Sequence, residues 1–573
     1  MAATTLPALR EGARTARRSW GRTQTLCAAG IAIIALLPAL GLGFAEVQSL
    51  ASWFYLALAA SGLVLAVGFA GLPSLGQGAF MSIGALTTAV LAGRAGWPAM
   101  AALPVALVVS VLLGLLTGLA IVRLPRVFVA VSTWLLTWLV AIAADEFPWL
   151  SGGSQGYVTS SPLGPTAHYE LALGLTVVVV GLLAVYRKSP AGLRMRAVRD
   201  NTAAATVLGV PGDRLLFGAF VVASAVAGVA GALSVQLAGV SDPDAFGPFT
   251  SFQLLVAVLI GGAAYSAAGI AGVAILGALS IIAHAIGSVF GDVPQLQPLL
   301  TASLLLAVLG LGKEGLIPEV LARRPRRRAA QRADTPPAAE PRPAALQAHG
   351  LAKAYGGLRA LDGFAIDVAP GESVAIVGAN GSGKTTALRA LGGALILDAG
   401  EILLDGEPVA GNPAALAEAG VVRTLQRTVA FSTLTAVESV MVGAALRAEY
   451  SGALRIVSAT PNARAEAPLL RGAALAALAM VELGDQSDET SDRLDGFARR
   501  RLMIAAALAT QPRLLLLDEP SAGAAPSELP ILARILRRVQ ASGVSLVLVE
   551  HNPLLVSAVA DRVLTMVDGN VAV

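Results

Sequence analysis

Residues 378–385 read Gly-Ala-Asn-Gly-Ser-Gly-Lys-Thr, the spacing G-x-x-x-x-G-K-[ST] of a loop that binds nucleotide phosphates. The strand-like run Ser373-Val-Ala-Ile-Val377 precedes this loop, and the helix-favouring run Thr386-Ala-Leu-Arg-Ala-Leu391 follows it. A strand, a glycine-rich turn and a helix N-terminus present backbone N–H groups and the positive end of a helix dipole to phosphate. The pattern therefore predicts that Lys384 reaches the β- and γ-phosphates and that Thr385 holds Mg²⁺.

Further strand-like runs end in residues suited to phosphate chemistry. Arg513-Leu-Leu-Leu-Leu-Asp-Glu519 ends in two carboxylates, so we expect Asp518 to bind Mg²⁺ and Glu519 to orient and deprotonate the attacking water. Leu546-Val-Leu-Val-Glu-His551 ends in a histidine where a γ-phosphate sensor would be needed. Gln426 ends another such run and is a candidate contact of Mg²⁺ and of the attacking water.

The composition points to a membrane protein. The chain has 573 residues, of which 55% are hydrophobic and 14% are charged, against about 25% charged in soluble domains. The apolar excess lies before residue 313, where several windows are long enough to span a bilayer. The pI of about 9.4 does not indicate a nucleic-acid partner, because the arginines cluster beside the hydrophobic windows. Cys27 is the only cysteine, which excludes an intrachain disulfide.

Four parts follow from these patterns. Residues 1–25 predict a basic cytoplasmic leader, for which a cleaved signal peptide is the alternative, and residues 26–315 predict an all-α membrane domain of about 8–10 spans. Residues 316–345 form a linker rich in Arg, Pro and Ala, whose arginines suit anionic membrane lipid. Residues 346–573 predict a soluble α/β domain built around the phosphate loop.

Charge placement predicts the topology of the membrane domain. The candidate spans are 26–44, 50–70, 78–93, 99–122, 127–144, 168–186, 214–239, 251–263, 269–288 and 296–312. Two of them, 78–93 and 251–263, are short and glycine-rich and are candidate half-helices. Basic residues at the N-terminus, at 123–126 and at 187–199 all fall inside with an even number of spans. We therefore expect a multi-pass protein of the cytoplasmic membrane, with its soluble domain in the cytoplasm.

The segment 187–213 is the longest predicted cytoplasmic excursion within the membrane domain. It reads as a short amphipathic helix with several arginines, followed by a Gly-Val-Pro stop. It is either a basic loop on the membrane surface or the helix that contacts the soluble domain. In the second interpretation Arg194, Arg196 and Arg199 are the candidate coupling residues.

The soluble half resembles ABC transporter ATPases, most of all the ATP-binding subunits of branched-chain amino acid importers. The resemblance covers four ordered motifs, which are 351–361, 423–438, 518–523 and 550–551. It implies ATP with Mg²⁺, and it places Tyr355 against adenine. The remaining ATP contacts that it implies are Gly378, Asn380, Gly381, Ser382, Gly383, Lys384, Thr385 and Thr386.

The membrane half resembles the permease partner of the same importers. The matching stretches, in the expected order, are 68–80, 152–156, 189–209, 228–233 and 259–262. The chain therefore resembles a permease fused to its ATPase, an ATP-driven importer of a small solute. Branched-chain amino acids are the default solute of this family, and relatives carry urea, short amides or aromatic acids. The resemblance also implies a second permease, a second ATPase and an extracytoplasmic solute-binding protein.

The signature motif departs from the family. The signature, normally Leu-Ser-Gly-Gly-Gln or Leu-Pro-Tyr-Gly-Gln, is here Leu494, Asp495, Gly496, Phe497 and Ala498. In the family this motif approaches the γ-phosphate of ATP held by the opposite subunit. Asp495 would bring negative charge there, and Phe497 has a side chain where a backbone must come close. We therefore expect an ATPase heterodimer with a partner that carries an intact signature.

Two other functions fit parts of the sequence. An ABC exporter half-transporter also places a membrane domain before its ATPase, but exporters have six long spans, whereas this chain has more spans and several short ones. A regulatory membrane ATPase that moves no solute is compatible with the degenerate signature. ATP-dependent uptake with partner subunits separates a transporter from such a regulator.

Overall fold

The structure is a computed structural model that describes residues 34–290, 296–311, 343–409, 411–424, 431–448 and 461–572. The predicted leader, most of the predicted linker and Gln426 lie outside the described residues. The chain divides into two compact units. The first unit falls within Met1–Leu65, Pro73–Gly181 and Phe220–Arg323, and the second falls within Ala66–Leu72, Leu182–Ala219 and Arg324–Val573.

Helices make up the described part of the chain up to residue 311. They are α1 (Phe44–Leu63), α2 (Gln77–Thr88), α3 (Ala99–Ile121), α4 (Arg126–Glu146), α5 (Pro148–Ser151), α6 (Pro165–Lys188), α7 (Pro190–Asp200), α8 (Thr202–Val207), α9 (Gly212–Ala238), α10 (Pro248–Gly261), α11 (Ala268–Phe290) and α12 (Leu296–Leu311). Helices α1 and α2 continue as the π-helical turns Val64–Phe69 and Ala89–Arg94.

Six helical runs in the described ranges are long and apolar enough to cross a membrane. They are Phe44–Phe69, Ala99–Ile121, Arg126–Glu146, Pro165–Lys188, Gly212–Ala238 and Ala268–Ser288. The all-α membrane fold is thus confirmed. The candidate span 251–263 corresponds to the shorter helix α10, and 78–93 corresponds to α2 with its π-helical turn. The described part of the candidate span 296–312 is helix α12. Part of the candidate span 26–44 lies outside the described residues.

Small residues let the apolar helices of the first unit approach closely. A Cβ added at Gly84 of α2 would lie 1.9 Å from the carbonyl oxygen of Gly228 in α9. A Cβ at Gly231 would lie 2.0 Å from the carbonyl oxygen of Met81. Lipid tails are as apolar as the helix surfaces, so little hydrophobic driving force brings membrane helices together. Close packing of backbone against backbone is therefore a main source of attraction between them.

Two sheets form the core of the second unit. Their strands are β1 (Leu346–Tyr355), β2 (Leu358–Val368), β3 (Ser373–Gly378), β4 (Ala399–Leu404), β5 (Glu407–Pro408), β6 (Val421–Arg423), β7 (Leu514–Asp518), β8 (Ser545–Val549), β9 (Arg562–Val567) and β10 (Asn570–Val571). An antiparallel sheet has the order β2-β1-β4-β5, and the second sheet has the order β10-β9-β3-β8-β7-β6. In the second sheet, all neighbours except β10 and β9 are parallel.

Helices connect the strands of the second unit. They are α13 (Lys384–Leu391), α14 (Pro413–Ala419), α15 (Ala436–Ala444), α16 (Pro461–Met480), α17 (Gly496–Leu508), α18 (Leu529–Ala541) and α19 (Pro553–Val559). The strands β7 and β8 are buried along their whole length, which explains why they read as apolar runs rather than alternating patterns. Because β3, β8 and β7 are parallel neighbours, their carboxyl ends meet at one edge of the sheet, where ligands bind in such folds.

Candidate active site

The phosphate loop connects β3 to α13 at that edge. Gly383 has φ 98°, and a Cβ there would lie 2.3 Å from the carbonyl oxygen of Ala360, so only glycine fits. The Lys384 side chain is buried within the loop, and its Nζ donates to the carbonyl oxygens of Gly378 (2.9 Å) and Ala379 (2.6 Å). Burial lowers the pKa of Lys384, and nearby Glu519 acts in the opposite direction.

Asp518 ends β7 next to this loop, and its two carboxylate oxygens differ. Oδ2 accepts a hydrogen bond from Nη2 of Arg423 at 2.8 Å, in a pair whose side chains are both buried. Oδ1 is buried without a hydrogen-bond partner among the described residues. Burial raises the pKa of Asp518, whereas the hydrogen bond from Arg423 lowers it. An orphaned carboxylate oxygen fits the oxygen ligands that Mg²⁺ prefers.

Glu519 and His551 face one another across the ends of β7 and β8. Glu519 has φ 47°, and its N–H donates to the carbonyl oxygen of Val549 at 2.9 Å. Its Oε1 lies 3.6 Å from Nε2 of His551. Both side chains line a cavity of about 300 Å³. The lining residues are Tyr355, Leu358, Arg359, Ala360, Asn380, Gly381, Gly383, Lys384, Thr385, Thr386, Glu519 and His551.

The cavity therefore brings together most of the residues expected to contact ATP. Tyr355 ends β1 and is 46% exposed, so its ring is available to a base, and the Lys353 ammonium lies 5.9 Å from the ring centroid. The contacts of Tyr355 with adenine and of the loop with phosphate stay predictions. Gln426, predicted to act in the same site, lies outside the described residues.

The degenerate signature forms the start of α17. Asp495 is the N-cap of this helix, and its Oδ1 accepts from the N–H of Ala498 at 2.6 Å. The positive end of the helix dipole stabilises that carboxylate, which gives Asp495 a structural function. Phe497 is buried, and the Arg501 guanidinium stacks on its ring at 4.7 Å. Arg501 also donates to the carbonyl oxygens of Val481 and Glu482, at 3.3 and 3.0 Å.

Helix α7 carries the predicted coupling residues and belongs to the second unit. Arg196 forms an ion pair with Glu438 of α15, with Nη2 and Oε1 3.3 Å apart. Burial lowers the pKa of the Arg194 guanidinium, while the negative charges of Glu466 and Glu418 favour its charged form. Glu438, Glu466 and Glu418 thus provide negative charge for the buried arginines of α7.

Arg199 connects three segments of the second unit. Its Nη1 donates to the carbonyl oxygen of Gly68 at 2.7 Å, and its Nη2 donates to Oγ1 of Thr433 at 3.2 Å. Next to it, Oδ2 of Asp200 accepts from the N–H (2.8 Å) and the hydroxyl (2.6 Å) of Thr433. Gly71 has φ 68°, and a Cβ there would lie 2.5 Å from Cγ of Arg199, so glycine is needed at this position.

Sequence reasoning missed two of these residues. Arg423 ends the strand Val421–Arg423 shortly before Gln426, and the available signal was a charged side chain in an otherwise apolar strand. Asp200 follows Arg199 directly, and a carboxylate at the end of an arginine-rich helix was the available signal.

Two families match different parts of the chain. Residues 47–309 match the permease component of the branched-chain amino acid transport system, and residues 361–522 match the ABC transporter family. A putative ABC transporter ATP-binding protein of Halobacterium salinarum is 38% identical over 228 residues, which are 40% of this chain and 91% of that protein.

Other similar proteins are also ATP-binding proteins. The high-affinity branched-chain amino acid transport ATP-binding protein BraF of Pseudomonas aeruginosa is 34% identical over 39% of this chain and 88% of its own length. The ribose import ATP-binding protein RbsA 2 of Rhizobium johnstonii is 34% identical over 40% of this chain and 42% of its own length. A solved nucleotide-free ATP-binding cassette from an ABC transporter is 26% identical over 40% of this chain and 90% of that chain, with a TM-score of 0.35.

Proposed function

Because this chain belongs to the ABC transporter family and joins a permease domain to an ABC ATPase domain, we propose that it imports branched-chain amino acids. It is a multi-pass membrane protein whose cytoplasmic ATPase domain couples ATP hydrolysis to transport. The match of residues 47–309 supports the solute class, since the solute crosses the permease and not the ATPase. ATP-binding proteins of branched-chain amino acid transport and of ribose import both occur among the relatives of the ATPase domain. The ATPase domain is therefore a weaker guide to the solute than the permease domain.

Uptake by cells tests the solute. Cells that express the chain with its neighbouring transport subunits should accumulate labelled leucine, isoleucine or valine, and cells with the Lys384→Ala variant should not. Ribose, urea, a short amide and phenylalanine form the comparison panel. Lys384-dependent uptake of one of these, without uptake of a branched-chain amino acid, would replace the proposed solute.

The residues of the cavity divide the work of ATP hydrolysis. We infer that Lys384 holds the β- and γ-phosphates, and that Glu519 orients and deprotonates the attacking water. His551, whose Nε2 lies 3.6 Å from Oε1 of Glu519, would contact the γ-phosphate as its sensor. Thr385 and Asp518 would hold Mg²⁺, which neutralises charge on the phosphates when bound.

Partner subunits complete the proposed transporter. One permease domain and one ATPase domain are half of an importer, so we propose a second permease, a second ATPase and an extracytoplasmic solute-binding protein as partners. Asp495 supports a heterodimer, because a carboxylate near a partner's γ-phosphate in a partly dehydrated cleft is unfavourable. The partner's intact signature would then face the ATP held by this chain's Lys384.

Helix α7 is the proposed coupling element. Its Arg196 forms an ion pair with Glu438, and its Asp200 accepts a hydrogen bond from the N–H of Thr433. Both partners follow Gln426 in the sequence. Arg199 also holds the carbonyl oxygen of Gly68, at the point where the long helical run Phe44–Phe69 ends. ATP binding would therefore act on the end of this membrane-spanning run through Arg199.

A further inference from the structure

A buried carboxylate without a role in the mechanism above stands directly before His551. Glu550 is 2% exposed, and its oxygens accept hydrogen bonds from four donors. Oε2 accepts from the Ser521 N–H at 3.1 Å, and Oε1 accepts from the Ser521 hydroxyl at 2.6 Å. Oε1 also accepts from the N–H groups of His551 (2.9 Å) and Asn552 (3.1 Å). Such a donor set offsets the free-energy cost of burying the charge.

These donors belong to two loops. Ser521 lies in the turn that follows β7 and contains Glu519. His551 and Asn552 follow β8, and Asn552 is the N-cap of α19. Since β7 and β8 are neighbours in the sheet, the Glu550 carboxylate links by hydrogen bonds the loop of the proposed base and the loop of the proposed sensor.

The first of these loops contains a strained residue. Glu519 is not a glycine and has φ 47°, a left-handed conformation that is unfavourable for its side chain and persists only where the surroundings enforce it. The N–H of Glu519 bonds to Val549, and its carbonyl oxygen accepts from Ala522 at 3.0 Å. Between these two anchors, the bonds from Ser521 to Glu550 hold the turn from the side of β8.

We propose that Glu550 is a positioning residue that holds Glu519 and His551 in one catalytic arrangement. It acts through Ser521 and through the backbone of His551. The inference rests on the proposed roles of Glu519 and His551 in ATP hydrolysis, and it is independent of the transported solute.

The test is the ATPase activity of the full-length chain in lipid nanodiscs, in the assembly with its partner ATPase. Glu550→Gln replaces one acceptor oxygen by an NH₂ group that faces other donors, which disturbs both loops. We expect kcat to fall about 100-fold, the effect of a misplacement of about 1 Å in an active site. Because the phosphate loop is not involved, the Kd for ATP should stay within roughly threefold of the wild-type value.

A double-mutant cycle separates positioning from general destabilisation. Ser521→Ala should lower kcat, and Glu550→Gln with Ser521→Ala should be no slower than Glu550→Gln alone, since both changes break the same link. Glu372→Gln is the matched control. The Glu372 carboxylate also accepts a backbone N–H, from Ala369, but it precedes β3, at the opposite edge of the sheet, and kcat should be unchanged.

Two results would overturn the proposal. The first is a lower melting temperature in Glu550→Gln with wild-type kcat per folded molecule, which would make Glu550 a purely structural residue. The second is additive losses of kcat in the double variant. Glu519→Gln is measured alongside, and normal turnover in that variant would remove the proposed base and the positioning function with it.

Discussion

Lys384 and Glu519 line the same cavity but differ in what they would contact. The Lys384 ammonium lies within the phosphate loop, whereas Glu519 faces His551. We expect Lys384→Ala to abolish ATP binding, and Glu519→Gln to keep binding while hydrolysis slows at least about 100-fold, because Glu519 acts only on the water. Nucleotide binding and phosphate release by the assembled complex measure the two effects. Normal turnover in Glu519→Gln would exclude it as the base.

Arg423 should stabilise the sheet because it is paired with Asp518 in the interior. Arg423→Met would leave a buried carboxylate without its partner and should cost about 3–5 kcal/mol. Arg513→Met is the matched control, since the pair of Arg513 with Asp405 is 31% and 41% exposed, and it should cost about 1 kcal/mol or less. Hydrogen exchange of the β7 amides in the full-length chain reports both values. Equal protection losses would contradict the assignment.

At the scale of elements, the contact of α7 with α15 includes the ion pair of Arg196 with Glu438. Arg196→Glu places two carboxylates together and should lower solute transport per ATP by roughly tenfold or more, while ATP hydrolysis continues. Adding Glu438→Arg should restore coupling only in part, because Glu438 also caps α15 through the N–H of Thr435. Unchanged coupling in Arg196→Glu would remove α7 from this function.

The elements differ in how well the sequence predicted them. The strand ends around Lys384, Asp518 and His551 were predictable, because buried parallel strands read as apolar runs and each ends in a residue with distinctive chemistry. Whether 251–263 crosses the membrane was not, because α10 is as apolar as the long helices and differs from them in length. Glu550 stands beside His551 in the sequence, but its donors, three backbone N–H groups and the Ser521 hydroxyl, come together only in the fold.

At the scale of the whole molecule, Asp495 predicts the subunit composition. The chain alone should hydrolyse ATP slowly, and addition of the partner ATPase should raise the rate at least about tenfold. Asp495→Ser is the informative variant, because serine also caps a helix and only the charge is lost, so it should raise the activity of the chain alone. Full activity of the unmodified chain without a partner would contradict the heterodimer.

The central claim is that ATP hydrolysis in this chain drives import of a branched-chain amino acid. Reconstitution of the chain with its partner permease, ATPase and binding protein in proteoliposomes tests it most directly. With ATP supplied on the side of the ATPase domain, labelled leucine should accumulate on that side, and Glu519→Gln should abolish accumulation. Steady ATP hydrolysis without movement of leucine or of any other solute of the panel would contradict the account and would indicate a regulatory ATPase.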